Sequence, residues 1–338
     1  MNQAPNNGQW QRLTAAASEF YKIAPWQWME DTVFFGIQAP GTEEVNYGCI
    51  MGKGGEHLAL ALYRGEAGLH SYIALRDGLL GMDPFSTYHL QDCLMASFEQ
   101  PEYLDDTDRE ILRAAAPETG NAERLPQFRS LRPRQVPWYL TAQEAEALAY
   151  GLAAAAAVSL LVRGTPKLLY GEHEADIPVF SFGRDGSLVH RFTQVAGYVP
   201  PVPALELRDE VLARRLKESP QAAETVWVVR SFVGPIPVME AERPVFPTLV
   251  VWFDQAREQV IHIETCADLT QGAEAVLQNT VALIGHQGLR PGRLLVTEPA
   301  VEALLGRLCR QLDIPLTREE DLPQIEAVIE DFHRHFGS

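Results

Sequence analysis

The chain has 338 residues, with 45 acidic and 28 basic side chains and a formal net charge of −17. Hydrophobic residues at 46% and charged residues at 22% are ordinary for a folded protein and exclude global disorder, while the length exceeds what one core usually serves, so two domains are expected. The acidic balance argues against non-specific nucleic-acid binding, and the four cysteines, widely spaced with no CxxC pair, exclude the common zinc and redox motifs.

In chain order, Trp10, Leu13, Ala17, Phe20 and Tyr21 recur at helical spacing until Pro25, which predicts an opening amphipathic helix. The N-terminus lacks the basic and then apolar pattern of a signal peptide, so a cytoplasmic setting is expected. Residues 33–38, 47–51 and 58–63 are strand-like, the last two joined by a glycine-rich turn, and read as an antiparallel meander. A helix over 65–75, a strand near 93–98, a helix after Leu104 and a strand near 128–131 follow. Thr141 and Glu144 then have capping-box spacing ahead of the apolar run 147–162. That run is mostly alanine and shorter than the 18 to 20 or so residues of a membrane span, so it reads as a buried helix.

The pair Asp185-Gly186 suits a hairpin turn, and Pro200-Pro201-Val202-Pro203 precedes a charged helix over 207–217. The boundary is placed after it, giving domains 1–219 and 220–338. The first reads as an α+β domain, an antiparallel sheet backed by helices. In the second, strands at 225–233, 248–253 and 259–263 precede a helix at 271–284, a strand at 293–296 and a helix at 299–312. Pro299 stands in that helix's first turn, with Val301, Leu304, Leu305, Leu308 and Leu312 on one stripe. A short strand at 314–316 and a last helix striped by Ile325, Val328, Ile329 and Phe332 complete the order β-β-β-α-β-α-β-α. This predicts an α/β domain with a mixed sheet.

The stretches PWQWMEDTVFFGIQ (25–38) and YGCIMGKGGEHLALALYRGEAGLHSY (47–72) resemble the N-terminal domain of an uncharacterised bacterial family. FPTLVVWFD (246–254) and RPGRLLVTEPAVEALLGRLCRQLDIPL (290–316) resemble a second domain of unknown function that often accompanies it. The resemblance implies two domains in a bacterial cytosol and brings no functional residues with it. The C-terminal order is also loosely similar to ribonuclease-H-like folds. That similarity implies acidic residues at strand ends and on packing helices, collecting two divalent metals for phosphoryl transfer.

Under that resemblance the candidates are Asp254 and Glu298 as metal ligands, with Glu274 and Asp331 completing a catalytic set. Adjacent parallel strands would put the first two on one rim. The structural reading of the same residues makes Glu298 a helix cap and Asp254 the start of a hairpin turn. His262 and Glu264 alternate on one strand and could pair at a metal. Whether Asp254 shares their face depends on the turn, three residues aligning it and four opposing it. Gly52-Lys53-Gly54-Gly55-Glu56-His57 fails the phosphate-loop spacings and reads as a hairpin turn. Glu172, His173, Glu174 and Asp176 read as a solvated acidic loop, His333 and His335 diverge on a helix, and Arg124, Arg129, Arg132 and Arg134 read as solvated rather than as a binding patch.

No Gly-x-Ser-x-Gly or His-Glu-x-x-His motif occurs. The leading expectation is therefore a non-catalytic protein that binds a protein partner or small ligand through its first domain, with no cofactor and no membrane. Trp26, Trp28, Phe34 and Phe35 are its candidate recognition surface, with core packing as their other reading. The alternative is a metal-dependent phosphodiesterase or nuclease using Mg or Mn.

Overall fold

The side chain of Asn6 accepts a hydrogen bond from the Gln9 backbone, and the Gln9 side chain returns one to Asn6. This reciprocal cap starts helix α1 (Asn7–Ile23), and Ala24 in the left-handed region ends it ahead of Pro25. The computed structural model describes residues 3–76, 90–116, 123–173, 175–183, 187–194, 203–240, 243–319 and 321–336. Two units, Met1–Tyr198 and Val199–Ser338, both mix helices with strands.

In the first unit, strands β1 (Phe34–Gln38), β2 (Val45–Met51), β3 (Ala59–Tyr63), β4 (Cys93–Glu99) and β5 (Leu125–Leu131) form an antiparallel succession. Gly52 and Gly55, both at positive φ, turn β2 into β3, as the glycine-rich segment predicts. Helix α2 (Gly65–Arg76) follows β3, and α3 (Asp106–Ala115) lies between β4 and β5. After β5 the chain enters α4 (Ala142–Gly164), capped by the predicted Thr141/Glu144 box. It returns as β6 (Ile177–Phe182), which pairs with β1 in parallel because a crossover helix intervenes. β7 (Leu188–Thr193) closes the order β5-β4-β3-β2-β1-β6-β7. The turn expected at Asp185-Gly186 lies outside the described residues.

Both faces of this sheet are covered, which is why β3 is buried at every position. Phe35, Ile50, Leu60, Leu62, Phe98 and Phe180 pack beneath α1 and α4. On the reverse face Tyr47, Cys49, Tyr63 and Cys93 pack with Leu69 and Tyr72 of α2. At 23 residues α4 is longer than the apolar run read from sequence, with the length and composition of a membrane span. Its Ala145, Leu148, Leu152, Ala155 and Val158 are fully buried in the first unit's core.

The second unit begins with α5 (Glu210–Lys217). The sequence boundary assigns residues 199–219 to the first domain, but Leu207 and Leu216 are buried in the second unit's core. Gln311 also pins the segment, accepting from Leu207 N at 2.9 Å and donating to Leu207 O at 3.2 Å.

Strands β8 (Gln221–Val233), β11 (Thr248–Asp254) and β12 (Gln259–Cys266) form an antiparallel meander, with a small hairpin, β9 (Val238–Glu240) and β10 (Arg243–Val245), between β8 and β11. Helix α6 (Ala273–Gln287), β13 (Arg290–Val296), α7 (Pro299–Gln311), β14 (Leu316–Arg318) and α8 (Pro323–Phe336) follow. The sheet order is β12-β11-β8-β13-β14, with β13 parallel to both its neighbours. Trp227 and Trp252 lie in the core with α6 and α7 on one face, and α8 brings Ile325 and Ile329 to the other.

Candidate functional site

Open α/β sheets bind ligands outside the carboxyl ends of their strands, which in the second unit means the ends of β8 and β13. There Arg230 of β8 forms a close ion pair with Glu298, which follows β13. Its Nε lies 3.1 Å from Glu326 in the first turn of α8. The Ser231 amide donates to the second Glu298 oxygen at 3.4 Å. One guanidinium thus holds together two half-buried carboxylates at the position where a divalent cation would need both. Glu298 is the N-cap residue of α7, although its side chain makes no capping hydrogen bond.

The other three acids predicted with Glu298 do not join it. β8 lies between β11 and β13, and β11 runs antiparallel to β8, so the end of β11 is not on the same rim. Asp254 stands opposite Trp227, whereas Glu298 meets Ser231, four residues or about 13 Å further along β8. Asp254 is buried and accepts from the Ala256 and Arg257 amides, both at 3.1 Å, forming the turn into β12. Glu274 is exposed and accepts from Gln278, and Asp331 is exposed beside Arg334 and His335. The four groups occupy separate environments. Among the described residues no three His, Cys, Asp or Glu side chains gather as a metal site would require.

His262 and Glu264 do share a face. The turn before them has four residues, but a bulge in β12 restores His262 to the position opposite Trp252, where the rings lie 5.2 Å apart. Glu264 accepts from Asn279 at 2.5 Å. Among the remaining motifs, His173 and Asp176 exchange hydrogen bonds within their loop, whereas Glu174 lies outside the described residues. His333 meets the Val233 carbonyl and His335 that of Asp331. Two of the clustered arginines are paired within the first unit, Arg129 with Asp105 and Asp108 and Arg132 with Glu144, which removes their charge from any patch.

The four aromatics of the candidate recognition surface are distributed between core and flanks. Trp26 is 8% exposed and packs with Phe20, Tyr21 and Phe98, and Phe35 is fully buried against Phe180. Trp28 is half-buried, donating its indole N–H to Ser159 O at 3.0 Å beneath the Arg163 guanidinium. Phe34 points to the opposite face, against Tyr72. Strand alternation separates Phe34 from Phe35, so the run cannot present one surface.

What the first unit offers instead is a cleft of about 450 Å³ between the first half of α4 and the ends of β1, β2 and β3. Ile37, Pro40, Leu62 and Ala147 give it an apolar lining, and Asn46, Glu146 and Tyr150 bring polar atoms to it. Gly151 lets α4 lie close to the sheet, since a Cβ there would fall 2.6 Å from a Leu62 methyl group. Tyr150 donates to Gln38 O at 3.4 Å, and burial raises its pKa, keeping the hydroxyl neutral. Asn46 accepts from the Gly65 amide at 3.2 Å, and Glu146 is held by Gln9 at 2.8 Å and Arg12 at 3.5 Å. Arg230 had a sequence signal, as a lone cation within an apolar strand.

Residues 10–179 match the family described as "Domain of unknown function (DUF7309)", and residues 212–333 match "Domain of unknown function (DUF6930)". No curated protein matches the chain. The first match spans just over half of the sequence, and the chain belongs to the DUF7309 family, with a DUF6930 region in its second half.

Proposed function

We propose that this is a non-catalytic cytosolic binding protein whose first unit takes up a small, largely apolar and uncharged molecule in the cleft beneath α4. The observation that carries the reading is the cleft's make-up. Its volume of about 450 Å³ falls in the range of roughly 300–1,000 Å³ common for ligand sites. Its polar groups are an amide, a neutral phenol and a carboxylate already engaged by Gln9 and Arg12, rather than a nucleophile beside a base. A small ligand suits this better than a protein partner, because the aromatics that would anchor a protein are largely inside.

The second unit supports the non-catalytic reading. Its strand order, three antiparallel strands followed on the β8 side by two parallel ones, favours the ribonuclease-H-like likeness of the fold. At its carboxyl rim, Arg230 supplies the positive charge between Glu298 and Glu326, so the reading calls for no Mg or Mn there.

Titration of the full chain with naphthol, an uncharged fluorescent molecule of fitting size, tests the proposal. Binding that raises the melting temperature, and that is lost in Ala147→Leu while the variant stays folded, is the expected result. Absence of binding to the natural chain, or equal binding to Ala147→Leu, overturns it.

A further inference from the structure

A second opening lies wholly within the second unit, between α7, the approach to β14 and the segment around Ala204. It measures about 600 Å³. Ala204, Ala303, Gly306, Ile314 and Leu316 give it small and apolar walls, and Arg310 and Glu302 are its charged members. The wall carrying Ala204 is held in place by the paired hydrogen bonds between Gln311 and Leu207.

The two charges are not equivalent. Glu302 is engaged by Arg318 at 3.4 Å. Arg310, among the described residues, has no carboxylate partner, and its guanidinium folds back one turn over Gly306. A Cβ at Gly306 would meet only Arg310 Nη1, at 3.6 Å. Cys309 also borders the opening, but its thiol is buried and its pKa is pushed up to about 12, so it stays protonated and unreactive.

A guanidinium with no carboxylate partner among the described residues, in a groove that combines small apolar side chains with as much polar surface, suits one planar anionic group attached to a short apolar body. The chain's net charge of −17 disfavours anything more highly charged. We propose that this groove binds an organic monocarboxylate, the carboxylate on Arg310 and the apolar portion along Ala303, Gly306 and Leu316. The site is separate from the cleft under α4 and does not depend on it.

The probes are hexanoate and hexanol, titrated calorimetrically into the full chain carrying Ala147→Leu, which fills the cleft under α4 that would itself take an uncharged molecule. Hexanoate is expected to bind at least about tenfold more tightly than hexanol, the difference a charge-assisted pair provides. Arg310→Met should abolish that preference, and Gly306→Leu should block both molecules. Leucine is a better helix former than glycine, so the second variant should keep or raise the melting temperature, separating a filled groove from a misfolded one. Both variants are made in that same background, so that only the second unit's groove is read. No binding of hexanoate, equal affinity for the two probes, or full hexanoate affinity in Arg310→Met would each overturn the proposal.

Discussion

Arg129 grips Asp108 with both terminal nitrogens, each 2.7 Å from a different carboxylate oxygen. The pair joins the end of the first sheet to the first turn of α3. Asp108 also accepts from Gln127, and Arg129 reaches Asp105, which in turn accepts from Tyr139. With Asp108 only 5% exposed, removing Arg129 strands a charge that has been taken out of water, whereas removing Asp108 leaves Arg129 its ion pair with Asp105. Arg129→Met should cost about 3–5 kcal/mol in denaturant unfolding, and Asp108→Leu less, because Asp105 still pairs with Arg129. The double variant should cost clearly less than their sum, because no unpaired charge remains. Additive costs would mean the pair is not coupled.

The acid limb of the stability curve should depend on Glu144. Its burial alone would raise its pKa, but the Thr141 amide, Arg132, the Ser130 hydroxyl and Arg64 together hold it below the usual carboxylate range. A carboxyl depressed on folding adds stability that is fully present above its unfolded value of about 4.3, and that stability is lost as pH falls through the lower folded value. Unfolding free energy should therefore drop below about pH 4 more steeply in the natural chain than in Glu144→Gln, which lacks this titration. The two curves running parallel on the acid side would contradict the assignment.

Local patterns in the chain announced the helices and the meanders, and distance in sequence hid the sites. Thr141 and Glu144 mark the start of α4 because a cap is made within three residues, and Pro299 with the Leu304–Leu308 stripe marks α7 for the same reason. The pairing of β8 with β13 crosses about sixty residues, and no spacing rule reports it. Arg230 therefore gives no hint that it will meet Glu298 and Glu326, and Asp254 and Glu298 look like rim partners until β8 comes between them. The aromatic run 26–35 misleads differently. Composition states that such residues are sticky, but not that α1 and α4 have already covered Trp26 and Phe35.

The four thiols should divide by burial. Cys49 and Cys309 are each pushed up to about 12 by burial, and Cys93, fully enclosed, is shifted in the same direction. Cys266 is the partly exposed one, its Sγ 3.7 Å from Thr248 O. A thiol-reactive chromophore at pH 8 should label one cysteine of the folded chain quickly, and Cys266→Ser should remove that phase. The other three should react only as fast as the protein opens.

Asp254 separates a turn-forming carboxylate from a metal ligand. Its Oδ1 accepts from both the Ala256 and Arg257 amides, and its other oxygen lies 3.5 Å from Arg257. Asparagine keeps an acceptor in the same place, so Asp254→Asn should cost little, whereas Asp254→Ala leaves two amides without their partner and should cost about 1–2 kcal/mol. A ligand to a divalent ion would behave in the opposite way, because the neutral amide loses the charge the ion requires. The melting temperature of the natural chain is expected to be insensitive to Mg or Mn at millimolar concentration, and Asp254→Asn to behave alike with or without the ion. A metal-induced rise that vanishes in Asp254→Asn would restore the phosphodiesterase reading.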